Sequence, residues 1–151
     1  MALREIRTYP DEVLRKKCRP VTQIDGRTAQ LLADMTDTLH NCPNGAAIAA
    51  PQVGVLRRVV VIDMGQGLIQ LINPEIIRAE GEQEVYEGCL SFPGQYGKLI
   101  RPAEVEVRAL NEKGEEITVT GTGDLAKCLC HELDHLDGVL FIDKAEEIER
   151  L

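Results

Sequence analysis

The run His131-Glu132-Leu133-Asp134-His135 constrains this chain more than any other feature. It has the form H-E-x-x-H and falls in a segment of helical character. Residues four apart lie on one face of a helix, so both imidazoles can reach one metal ion. Glu132 lies beside them at a different helical angle, where a carboxylate can manage protons for a metal-bound water. The alternative is a solvated charged helix end that carries two surface histidines.

Two histidines leave a metal site incomplete, because a catalytic centre of this kind usually takes three protein ligands and one water. An H-E-x-x-H-x-x-G-x-x-H arrangement would place the third His at position 141. Gly138 fits that pattern, but Phe141 stands at the ligand position and cannot bind metal. A downstream glutamate would need a further helix, and residues 142–151 are too few to supply one that packs back. Glu146, Glu147 and Glu149 read as a charged tail. The missing ligand is therefore expected upstream.

Cys89, within Glu87-Gly88-Cys89-Leu90-Ser91, is the upstream candidate. It follows an expected strand and precedes Phe92-Pro93-Gly94, a turn signal. A thiolate there can project into a cleft, and Gly88 would permit close packing against the helix. A buried structural thiol is the other reading. A third segment, residues 45–52, is small and apolar, so its backbone can approach a ligand closely. Its last residue, Gln52, can donate an amide hydrogen to a developing oxyanion. A tightly packed core turn would look the same.

Taken in order, the three segments resemble the peptide deformylase family, whose pattern is G-φ-G-φ-A-A-x-Q, then E-G-C-L-S, then H-E-φ-D-H, with φ apolar. The second and third match fully. The first departs at Ala47, which stands where the pattern has its second Gly. Residues 11–15, 71–74 and 138–141 also resemble the family, so the likeness extends over essentially the whole chain.

The resemblance implies roles for individual residues. Cys89, His131 and His135 would be the metal ligands, Glu132 the general acid/base, and Gln52 with the Leu90 backbone N–H the oxyanion donors. Gly45 and Ala47 would form the edge along which a peptide lies. Cys128, three residues before His131, would line the pocket for the first side chain, although plain core packing is an equal alternative. Asp124 and Lys127 fall where the family often has apolar pocket residues, although charged residues more commonly face solvent. The resemblance also sets Arg101 against Glu87, whose carboxylate beside a thiolate would need a countering cation; two independent surface charges are the alternative. The implied cofactor is one divalent metal ion, by resemblance Fe(II), with Zn, Ni or Co able to occupy the site. Donor chemistry alone does not choose among them. The implied substrate is an N-formylmethionyl peptide of a nascent chain.

Composition bounds the rest. Apolar residues make up 44% of the 151 residues but aromatics only 3%, so one core must rest on aliphatic side chains. No apolar run is long enough for a transmembrane helix. The first residues lack the apolar stretch of a signal peptide. An odd count of 5 cysteines without that signal favours reduced thiols and a cytoplasmic location. A net charge of −8 argues against direct nucleic-acid binding. Some members of the family reach the ribosome through a basic C-terminal helix. Residues 143–151 are mostly acidic, so that route is expected to be absent or altered, leaving transient ribosome proximity.

The pattern predicts a single catalytic domain over 1–151, with α+β architecture: mixed or antiparallel strands wrapped around a central metal-bearing helix. Asp25 can cap a first helix with Leu31, Leu32, Met35 and Leu39 on one face, broken by residues 42–45. Strands are expected at 58–63, 68–72 and 104–110. Residues 65–67 and 112–114 form turns, the latter leading into a strand with Ile117 and Val119. The metal-bearing helix is expected at 123–136. Three functions remain open: a deformylase, another metal-dependent peptidase, and a non-enzymatic paralogue that binds formylated peptides or metal. Only Ala47 supports the last.

Overall fold

The computed structural model describes residues 3–43, 45–65 and 67–150. Asn44 and Gln66, which belong to two of the expected turns, lie outside the described residues, as do Met1, Ala2 and Leu151. Helix α1 spans Gly26–His40, and the Asp25 carboxylate accepts from the Arg27 and Thr28 N–H groups at its start. Strand β1 (Ala47–Ala49) leads into a 3₁₀ turn at Ala50–Val53. Strands β2 (Val59–Asp63), β3 (Leu68–Glu80), β4 (Gln83–Cys89), β5 (Phe92–Arg101), β6 (Glu104–Leu110) and β7 (Glu116–Thr122) follow. Helix α2 spans Gly123–Leu136, and β8 (Glu147–Arg150) comes last.

Every strand pairing in the two sheets is antiparallel. One sheet has the order β1-β2-β3-β6-β7 and the other β4-β5-β8. Strand β2 shows why its sequence reads as a continuous apolar run. Val59 and Val61 join Leu31, Leu32, Met35 and Leu39 of α1, whereas Val60 and Ile62 join Leu129, Leu133 and Leu136 of α2. The strand is buried on both faces, so alternation disappears from its sequence. Helix α2 packs against β1, β2, β6 and β7 on one side and β5 on the other, and it carries the H-E-x-x-H run. The α+β architecture with strands around that helix is the expected one.

Three local expectations fail. The second strand does not stop at Ile72 but continues as β3 to Glu80. Asn73 takes a left-handed φ of 52°, and the ladder to β6 shifts register between Ile72 and Glu75. The Asn73 side chain accepts from Val21 N–H at 2.8 Å and donates to Val21 C=O at 2.9 Å, so a bulge absorbs the Asn-Pro step. Phe92-Pro93-Gly94 is not a turn but the start of β5; the chain reverses at Leu90 and Ser91. The expected charged tail is strand β8, which pairs with residues 95–98 of β5. Among the described residues no helix is long and apolar enough to cross a membrane.

Gly138 ends the helical segment at φ 74°, and a Cβ built there would overlap the Arg15 carbonyl group. Left-handed backbone and a close approach both demand glycine here. Gly138→Ala is expected to lower stability by about 2–4 kcal/mol, summing backbone strain and overpacking. Urea unfolding of the two proteins measures it; an unchanged midpoint would contradict the packing described.

Candidate active site and metal centre

Helix α2 presents His131 and His135 one turn apart, and β4 ends at Cys89 opposite them. Register slips from Gly88↔Tyr96 to Cys89↔Phe92, a bulge that re-aims the last residue of the strand. The ligand atoms of Cys89, His131 and His135 all lie within 4.8 Å of one another. Cys89 Sγ is 3.3 Å from His135 Nε2, which is 3.2 Å from His131 Nε2. Glu132 is buried alongside, its Oε2 3.8 Å from His131 Nε2.

A buried carboxylate fixes the first imidazole. Glu87 on β4 accepts from Arg101 of β5 through two bonds, Nε to Oε2 at 2.6 Å and Nη2 to Oε1 at 2.9 Å. The same Oε1 lies 2.6 Å from His131 Nδ1. Burial alone would raise the Glu87 carboxyl, but the bonds from Arg101 and His131 hold it down at about 2. An ionised carboxylate only accepts, so Nδ1 carries a proton and Nε2 is the ring nitrogen left facing the cluster, where a metal ion can take the place of a second proton. Arg101 also donates from Nη1 to Asp134 Oδ2 at 2.7 Å, a partner that sequence reasoning did not assign. The expected Glu87–Arg101 pair is thus one side of a four-residue network.

This donor set fits a divalent cation. At His131 burial disfavours the proton, but bonding to Cys89 and Glu87 outweighs it and raises the group well above its ordinary range. Burial, followed by the His131 charge, pushes His135 well below it. Three donor atoms converge on one point, and a cation displaces protons from such a set. Glu132 Oε1 and His135 Nδ1 are buried without a hydrogen-bond partner among the described residues. Burial lifts the Glu132 carboxyl to about 7, with the His131 charge opposing it. A neighbouring divalent ion would act in the same direction as His131.

The ring face of His131 is supported by aromatics. Phe141 stacks on it with centroids 6.0 Å apart, Phe92 meets Phe141 edge-on at 5.0 Å, and Tyr9 stacks on Phe92 at 4.9 Å. Both phenylalanines of the chain serve this column. Phe141, which sequence reasoning excluded as a ligand, packs against His131 instead. The scarcity of aromatics was the one available signal.

A cleft of about 570 Å³ opens beside the cluster. Among its lining residues are Gly45, Ala47, Cys89, Leu90, Cys128, His131 and Glu132. Cys128 lines the cleft and also packs against the core cluster on α2. Asp124 and Lys127 line the cleft too, and Lys127 Nζ donates to the Tyr86 carbonyl at 3.2 Å. Gln52 sits behind Cys89. Its Oε1 accepts from Ala49 N–H at 2.9 Å, and its Nε2 donates to Cys89 Sγ at 3.4 Å and Ser91 Oγ at 3.2 Å.

One glycine expectation changes. Gly88 is not required for packing on the helix, since the nearest atom to a built Cβ is the Gln95 carbonyl at 3.6 Å. Gly45 is closely packed: a Cβ there would meet Leu39 Cδ1 and the Cys42 Cβ, each at 3.1 Å, and those side chains would have to give by a few tenths of an ångström. Strand β1 is an edge of its sheet, paired only with β2. Asp63 N–H bonds to Ala46 C=O, so by strand alternation the polar backbone groups of Ala47 point away from β2, while Gly45 N–H donates to Cys42 C=O at 3.1 Å. The Ala47 side chain belongs to the core cluster on α2 and the residue is 8% exposed. Its methyl packs in the core, while the residue also borders the cleft.

A thiolate and two imidazoles that converge beside a buried carboxylate, in a cleft at a strand edge, are the marks of a metal-dependent hydrolase. The family model described as polypeptide deformylase matches residues 3–151, and the chain belongs to that family. Peptide deformylase 2 of Clostridium acetobutylicum is 63% identical over 147 residues, 97% of this chain and 98% of the relative. The crystal structure of a Legionella pneumophila peptide deformylase superposes with a TM-score of 0.92 at 44% identity, covering 95% of this chain and 86% of that one. A Synechococcus elongatus peptide deformylase, solved in complex with actinonin, gives 0.90 at 40% identity over 95% of this chain and 79% of that one.

Two substitutions test this geometry. Arg101→Leu leaves Glu87 buried without its main counter-charge, and a loss of about 3–5 kcal/mol is expected by denaturant unfolding. A loss below 1 kcal/mol would show that the network is solvated. Ala47→Gly is expected to leave kcat/KM on formylated peptides unchanged within about twofold and to cost about 0.5–1 kcal/mol of stability, as glycine does inside a strand. A large gain in kcat/KM would mean that the methyl does crowd the substrate.

Proposed function

We propose that this chain removes the N-formyl group from N-formylmethionyl peptides of nascent chains, with residues 1–151 acting as one catalytic domain. The observation that carries the reading is the convergence of Cys89, His131 and His135 next to Glu132 at the edge of the cleft. Those three side chains would hold one divalent ion, Fe(II) by likeness to the family, with Zn, Ni and Co as other occupants. When bound, it supplies Lewis acidity and makes water a nucleophile near neutral pH.

The chain's own residues then do the following. The free edge of β1 at Gly45 and Ala47 binds the peptide backbone as an added strand. Cys128, one turn from His131, borders the room for the first side chain. Water adds to the formyl carbon, and the negative charge that grows on the formyl oxygen is met by the Gln52 amide and the Leu90 N–H. Glu132 accepts a proton from the attacking water and delivers it to the peptide nitrogen as the carbon–nitrogen bond breaks. Formate and a free amino terminus leave.

Glu132→Gln tests the assignment on a formyl-Met peptide. Acid/base help is typically worth roughly 10²–10⁴ in rate. Turnover is expected to fall by that factor while metal content, read by elemental analysis, stays the same. Wild-type turnover in the purified variant would remove Glu132 from the reaction. Absence of formate release by the metal-loaded wild-type protein would remove the function itself.

A further inference from the structure

Gln52 is held in one orientation. Its carbonyl oxygen accepts from Ala49 N–H at 2.9 Å, so its amino group must face the opposite way. A carboxamide nitrogen carries two hydrogens. One is directed to Cys89 Sγ at 3.4 Å, and the other to Ser91 Oγ at 3.2 Å. Sulfur is the softer and more diffuse acceptor, so the oxygen of Ser91 defines the plane of the amide more tightly. Ser91 is itself immobilised: it is 0% exposed, its carbonyl accepts from Tyr9 N–H at 2.9 Å, and its N–H lies 3.5 Å from Cys89 Sγ.

We propose that Ser91 is a positioning residue for the reaction, its hydroxyl fixing the Gln52 carboxamide so that the second N–H is aimed at the formyl oxygen beside Cys89. The proposal rests on the reading of Gln52 as an oxyanion donor. Ser91 touches neither substrate nor the reacting atoms. It holds one hydrogen of Gln52 throughout the cycle, and the other moves from Cys89 Sγ to the growing negative charge. Fixed donors cost no reorganisation when that charge appears. Without the Ser91 oxygen the whole planar carboxamide can turn about its Cγ–Cδ bond, and the donor must be re-ordered in each turnover.

A double-mutant cycle on the metal-loaded enzyme tests this, using a formyl-Met peptide and the variants Ser91→Ala, Gln52→Ala and both together. Gln52→Ala is expected to lower kcat by about 10² or more, as loss of one oxyanion donor does. Ser91→Ala is expected to lower kcat about tenfold through misplacement of that donor, with KM nearly unchanged. The double variant should then be no slower than Gln52→Ala alone, because Ser91 has nothing left to position. A double variant slower by the full product of the two factors, or a Ser91→Ala enzyme with wild-type kcat, overturns the proposal and leaves the role of Gln52 standing. Wild-type kcat in Gln52→Ala overturns both. A second measurement needs no variant: in the zinc-loaded wild-type protein, both side-chain amide hydrogens of Gln52 should exchange slowly with solvent by NMR. Rapid exchange of the hydrogen directed at Ser91 would show that the Ser91 bond does not hold.

Discussion

The Glu87 carboxylate is the interaction on which the rest of the site depends. It is buried, accepts two bonds from Arg101 and a third from His131, and so joins β4, β5 and α2 at one point. Removing a carboxylate from water is costly, and only a matched cation and full hydrogen bonding offset it. Here the guanidinium fork supplies both, while Asp134 takes its remaining free edge. The network sets the height of α2 against the end of β4. That height brings His131 and His135 level with Cys89.

Two different kinds of support act on His131. Glu87 grips the ring edge and assigns its tautomer, leaving Nε2 to face the cluster. Phe141 covers the ring face, backed by Phe92 and Tyr9. An edge bond alone would let the ring swing about it; a stacked wall alone would let it slide. Gln52 behaves similarly, with its oxygen tied to Ala49 and its nitrogen to Cys89 and Ser91. For His131 the support leaves Nε2 facing the cluster, and for Gln52 it leaves one amide hydrogen held only by the Cys89 sulfur.

The parts of this arrangement that follow from local chemistry were readable in the chain. The i, i+4 spacing of His131 and His135, the Asp25 cap and the apolar face of α1 each depend on a few neighbouring residues. Cys89 and Gln52 needed the likeness of three motifs, because nothing local ties residue 52 to 89 or 131. Other features depend on distant partners and left no local mark. Strand β8 looks like a charged tail because it pairs at the edge beside β5, where charged residues are compatible with a strand. Strand β3 outruns Asn73-Pro74 because the Asn73 side chain bonds across to Val21. Phe92-Pro93-Gly94 carries turn residues yet extends, since the reversal falls two residues earlier. The column from Tyr9 to His131 unites four stretches of chain. The direction of the Ala47 side chain depended on the pairing of β1 with β2, which sequence could not supply.

The central claim is that one thiolate and two imidazoles share a single divalent ion. X-ray absorption at the metal edge of the purified protein tests it most directly. With zinc bound, the account predicts one sulfur scatterer at about 2.3 Å and two imidazole nitrogens at about 2.0–2.1 Å, with a light atom completing the shell. A shell without sulfur, or with a single imidazole, would contradict it.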